Sequence, residues 1–124
     1  MVKAAQVRKW ALAMPEATEV VVESWGHPTF RVRDKIFASM ATDGSTVGVK
    51  ASKEEQAALI AADPETFSPS DYVGRHGWTT IVAARVDPDE LHELIIEAWR
   101  HIAPKRLVAA HDAAVDAAGD ATGE

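Results

Sequence analysis

The cations with chemical promise stand in three short clusters. Arg31, Arg33 and Lys35 share one strand-like stretch. Arg75 and His76 lie between Gly74 and Gly77 and lead into Trp78. Lys105 and Arg106 follow Pro104. A guanidinium or ammonium neutralises phosphate, and an aromatic ring beside it gives an unpaired base a face to stack on. Arg31, Arg33, Lys35, Arg75, His76, Trp78, Lys105 and Arg106 are therefore the candidate nucleic-acid contacts. The plainer reading is that the hairpin cations solvate an outer strand face, where charge also discourages edge pairing, and that Trp78 packs in the core.

Other chemistry finds less support. The histidines are His27, His76, His92, His101 and His111. None pairs at i, i+4, and no carboxylate cluster joins them at metal-ligand spacing, so neither a metal nor a cofactor is expected. His92 and His101 read as solvated helix residues. His27 and His76 sit in Gly/Pro turns beside tryptophans and are the two that could serve as acid or base. No Gly-rich phosphate loop, nucleophile elbow or zinc-protease motif is present, so no catalytic residue is assigned.

The elements that must carry these residues follow from pattern. Val7, Trp10, Ala11 and Met14 mark the apolar stripe of a helix over 2–14, which Pro15 ends. Val20, Val21 and Val22 begin a strand over 19–25. After Gly26 a hairpin follows: Phe30, Val32 and Phe37 alternate inward, and Arg31, Arg33, Ile36 and Met40 outward, with Asp34-Lys35 as the turn. A turn at 42–45 delivers a strand over 46–50. Ser52 and Glu55 form a capping box for a helix to Ala62. Residues 63–77 read as an ordered loop and 78–86 as the last strand. Asp87-Pro88 starts a helix whose stripe is Leu91, Leu94, Ile95, Ala98, Trp99 and Ile102. Trp10 and Trp99 are core residues on these stripes, and Trp25 is left undecided. The order predicts an α+β fold: a single antiparallel sheet packed on one face by N- and C-terminal helices, the other face open.

Composition sets the outer bounds. A chain of 124 residues with 47% hydrophobic and 26% charged content is one soluble domain. The absence of cysteine excludes disulfides, thiolate zinc sites and cysteine nucleophiles, and suits a reducing cytoplasm. Lys3, Arg8 and Lys9 are not followed by a long apolar stretch, so no signal peptide or membrane span is expected. The net charge of -6 speaks against a general nucleic-acid binder. Four of the 19 acidic residues, Asp112, Asp116, Asp120 and Glu124, lie after His111, so the rest holds 13 bases against 15 acids. The domain is placed at 1–110, and the Ala/Asp-rich tail at 111–124 is expected to be frayed or disordered.

Several pieces resemble one family. They are Leu12-Ala13-Met14-Pro15-Glu16 with Glu19, then His27-Pro28-Thr29-Phe30-Arg31-Val32 with Lys35-Ile36-Phe37-Ala38. Phe67-Ser68-Pro69 and Tyr72-Val73-Gly74 follow, with Gly77-Trp78, and finally Ala98-Trp99-Arg100 with Ala103-Pro104-Lys105-Arg106-Leu107. Their order and spacing over residues 4 to 108 are similar to those of the MmcQ/YjbR family of small bacterial proteins. One departure is Asp34, where the family often has Gly. The resemblance implies a CyaY-like fold and the family's usual label of DNA-binding protein, with no catalytic residues to carry over. Iron handling, which that architecture also brings to mind, needs a ridge of carboxylates on the first helix, and none precedes Glu16.

Three function classes follow. A non-enzymatic DNA-binding module would bind weakly and without sequence specificity through the hairpin and the open sheet face. A protein-interaction module would use the same face through Ile36 and Met40, the protein itself being a monomer or weak dimer. A small-molecule enzyme would use His27 or His76 in a pocket beside the 63–77 loop.

Overall fold

A computed structural model describes residues 2–22, 27–71 and 73–122. Trp25, Tyr72 and the expected end of the first strand lie outside them. The elements are α1 (Ala4–Leu12), β1 (Ala17–Val22), β2 (His27–Val32), β3 (Lys35–Met40), β4 (Thr46–Val49), α2 (Lys53–Ala62), β5 (Phe67–Pro69), a 3-10 turn (Gly74–His76), β6 (Thr79–Val82), α3 (Pro88–Ile102) and α4 (Lys105–Thr122). The strands form one antiparallel sheet in the order β1-β2-β3-β4-β6-β5. This is the α+β arrangement expected.

The helices α1 and α3 cover one face. Val7, Ala11, Leu91, Ile95 and Trp99 from the two helices meet Phe30, Val32, Phe37, Val47 and Ile81 from the strands, all fully buried. The indole nitrogen of Trp99 keeps a partner in this apolar setting, donating to the Pro15 carbonyl at 3.1 Å. Both anticipated caps are in place. Ser52 and Glu55 close the reciprocal box on α2, and Asp87 accepts from the Glu90 N–H ahead of Pro88. Trp10 is only half-buried, stacked on His92 with ring centroids 4.7 Å apart.

The hairpin differs from expectation in turn and register. Its turn residues are Arg33 and Asp34, with φ of 52° and 65°, and Val32 pairs with Lys35. Two left-handed residues make a primed turn whose twist matches the flanking strands. Ile36 then opposes Arg31, but Ala38 opposes Phe30, so Phe37 is the extra residue of a β-bulge. The bulge reverses the alternation beyond it. Phe37 and Ala38 both face the core, and Met40, expected outside, is 2% exposed within it.

The segment 63–77 contains more structure than a loop. It supplies edge strand β5 and the 3-10 turn, which ends at Gly77 with φ of 96°. A Cβ on Gly77 would stand 1.9 Å from the Ala51 carbonyl oxygen, so this approach admits only glycine. The last strand stops at Val82 rather than Val86. At the other end, α4 runs through the segment expected to fray. Alanine-rich composition favours helix, and two contacts tie it down. His111 meets Trp99 edge-on at 5.2 Å, and Asp112 pairs with Arg100.

Candidate functional site on the open sheet face

The face opposite α1 and α3 is built by alternation. Val47 and Val49 point into the core, so Thr46 and Gly48 point away, and Lys50 continues on their side one residue past β4. Pairing aligns these residues across the sheet. One row runs Val20, Thr29, Ser39, Gly48, Thr80 and Ser68, a floor of small and hydroxylic side chains. A second row sets Thr18 beside Arg31 and Arg31 beside Ile36, and leads towards Lys50 and Trp78. Among the described residues no strand position on this face carries Asp or Glu. Glu19 faces the helices instead, where Arg8 binds it through Nε at 2.7 Å and Nη2 at 3.1 Å.

Two adjoining cavities, of about 300 and 260 Å3, lie over this floor. Both are lined by His27, Ser39, Val73 and Trp78. The first adds the hydroxyls of Thr46, Ser70 and Thr80, and the second adds Thr29 and Ile36. The stretch 73–78, which carries Val73 and Trp78 into one wall, is held from behind. Gln56, buried on α2, donates from Nε2 to the carbonyls of Gly74 at 2.9 Å and Trp78 at 2.8 Å. Lys50 Nζ donates to the His76 carbonyl.

The eight candidate contacts separate into two groups. Arg31 lies half-buried on the open face, with Nε donating to Thr29 Oγ1 at 3.2 Å, and Trp78 lines the cavities. Arg75 and His76 are exposed on the adjacent 3-10 turn, where Arg75 Nε donates to His76 Nε2 at 3.3 Å. Arg33 and Lys35 instead sit at the hairpin tip on the helix side, since Lys35 opposes the core residue Val32. Arg33 grips Glu16 with both Nε and Nη2. These hydrogen bonds hold the Glu16 carboxyl below the usual range and the guanidinium above its own. Arg106 lines a different cavity of about 490 Å3 with Arg33, Glu16 and Leu107, and Lys105 precedes it at the exposed start of α4.

Arg31 and Arg33 therefore do not act on one surface. The turn places Arg33 out of the strand, and the bulge sends Met40 inward, so of the apolar pair expected outside only Ile36 remains. Lys50 was missed from sequence, although the alternation from Thr46 to Lys50 places it. Gln56 carries no such signal, because a glutamine in a short helix gives no hint that two distant carbonyls need its amide.

Residues 12–101, from the end of α1 to the last turn of α3, match the family model described as YjbR. The chain belongs to the YjbR family. No curated protein matches it. Among solved structures, this YjbR chain is similar to Deinococcus radiodurans protein DR2400, which carries a DUF419 domain. Identity is 18%, the alignment covers 80% of this chain and 77% of that one, and the TM-score is 0.71. That likeness is one of fold. The matched span includes the whole sheet, hence the whole open face, and leaves α4 with Lys105 and Arg106 outside.

Proposed function

We propose that this YjbR protein is a non-enzymatic module that holds a nucleic-acid strand, DNA in the simplest case, across its open sheet face. The observation that carries this is the charge of that face. In a chain of net charge -6, its described strand positions hold no carboxylate; Lys50 and Arg75 stand beside the half-exposed Trp78, and Arg31 lies further along the same face. Arg31 and Trp78 are three inter-strand spacings apart, roughly 14 Å, a distance that suits a short run of nucleotides. Phosphates would meet the cations and a base would stack on the indole. Binding of this kind is weak and poorly selective, because few groups read base edges. A chain without cysteine suits the reducing cytoplasm in which such strands are met.

The test is a titration of the protein with short single-stranded DNA at several salt concentrations. Neutralising about three phosphates on a single strand predicts a log-log salt slope near -2, at roughly 0.7 per contact. Of the fluorescence change that the described tryptophans give on binding, Trp78→Phe should remove most, since Trp99 is buried and Trp10 is stacked on His92. No binding by wild type at about 20 mM salt, where attraction is least screened, would overturn the proposal.

A further inference from the structure

The open face is not a flat platform. Its centre is hollow because Gly48 stands in the middle of the floor row with no side chain. A Cβ there would come within 2.9 Å of Ser39 Oγ. Valine, threonine or isoleucine would serve a central strand better than glycine, which weakens one. Nothing in the local backbone asks for glycine at this position, since Gly48 is not among the residues of positive φ. The hollow is the feature its presence creates.

The polar groups around the hollow are not equivalent. Thr29 Oγ1 already donates to the Val20 carbonyl at 2.7 Å and accepts from Arg31, and Ser70 and Thr80 are hydrogen-bonded to each other at 2.8 Å. The hydroxyls of Ser39 and Thr46 make no hydrogen bond among the described residues, and both line the cavity. Val73 and the Trp78 indole make the wall apolar and aromatic. The volume is at or just below the small end of ligand pockets, enough for a single ring system rather than a length of chain.

We infer that the cavity receives one unstacked base of the bound strand. The ring lies against Trp78 and Val73, its polar edge meets the hydroxyls of Ser39 and Thr46, and the flanking phosphates reach Arg31 on one side and Lys50 and Arg75 on the other. Hydroxyls both donate and accept, so any of the bases can be held and selectivity stays low. The inference rests on the nucleic-acid reading above and adds a site to it: a seat for one base as well as a track for phosphates.

The experiment compares wild type with Gly48→Val, which fills the hollow and leaves Arg31, Lys50, Arg75 and Trp78 unchanged. Two probes are titrated at about 20 mM salt: a short oligothymidylate, and an abasic sugar-phosphate chain of equal length bearing one central thymine, with the same chain free of bases as the reference level. Wild type should bind the single-base chain nearly as well as the full oligomer. Gly48→Val should bind both about tenfold more weakly, the loss expected when one base is no longer stacked, with the salt slope kept. Should Gly48→Val fail to fold, Gly48→Ala and Gly48→Ser, which fill the same hollow with smaller side chains, provide the same comparison. Unchanged affinity in a folded floor variant, or wild-type binding that falls to the fully abasic level with only one base present, would overturn the base seat and leave the strand reading standing. A folded wild type that binds neither probe would overturn both.

Discussion

Gln56 reaches from α2 to the carbonyl of Trp78 at 2.8 Å and, with its second amide proton, to the carbonyl of Gly74 at 2.9 Å. One buried side chain thus fixes both ends of the turn that presents Arg75, His76 and Trp78. Gln56→Ala should take one of two donors from each carbonyl, leaving the N–H groups of Gly77 and Ser70 on them, and cost about 1–2 kcal/mol in denaturant melts. Gln56→Glu should cost more, because a carboxylate would face carbonyl oxygens.

The separation of the hairpin cations makes a sharper prediction. Arg31→Glu should abolish strand binding, whereas Arg33→Glu should weaken it little, since Arg33 points to Glu16 at the helix side. Titration of the two variants side by side checks this. Equal losses would mean that the hairpin tip and not the sheet face is the contact.

Burial of Trp99 beneath α1 and against the strands sets the cost of removing it. Trp99→Ala should cost about 3–5 kcal/mol, and Leu94→Ala, half-buried on the same helix, about 2 kcal/mol. Urea melts give both values. Trp99→Phe should cost less but still lose the hydrogen bond to Pro15.

Truncation after Ala110 should lower the melting midpoint, because it removes the His111 ring from Trp99 and Asp112 from Arg100. The edge-on ring contact alone is worth about 0.5–1.5 kcal/mol. The same truncation should tighten strand binding by removing four negative charges, a change largest at low salt.

Acid should destabilise the fold through carboxylates held ionised. Burial pushes the Glu55 carboxyl up, but hydrogen bonds from His101 and from Ser52 outweigh it, so the group sits below its ordinary value. A depressed value means stability that is present above the unfolded pKa of about 4.3 and is lost as pH falls through the folded one. Glu55→Gln should flatten the acid side of a stability-against-pH curve. For Glu16, Arg33→Gln should return the carboxyl towards its usual range in an NMR titration.

Much of the architecture was legible in the sequence because it depends on local rules. The Leu91-to-Ile102 stripe, the Ser52 box and the Asp87-Pro88 start each announce a helix without reference to anything distant. The hairpin was legible as a hairpin, but its register was not. An Arg-Asp turn lacks the glycine that normally marks two left-handed residues, and a bulge at Phe37 leaves no trace in an apolar run. The site suffered most from that error, since parity beyond the bulge decides which residues share a face. The chain's overall negative charge hid the rest, because the sign of one surface depends on where strands cross and not on composition.

Gly77 and Gly48 each leave no free room for a Cβ, yet a mutational library would treat them differently. Selected for solubility and folding alone, position 77 should return glycine almost exclusively, since any side chain there collides with the Ala51 carbonyl. Position 48 should drift to alanine, serine or valine under that same selection, because only a serine hydroxyl has to turn aside. Glycine would persist at 48 only when survival also demands an occupied pocket, so the tolerance at this one codon reports whether the cell uses the hollow.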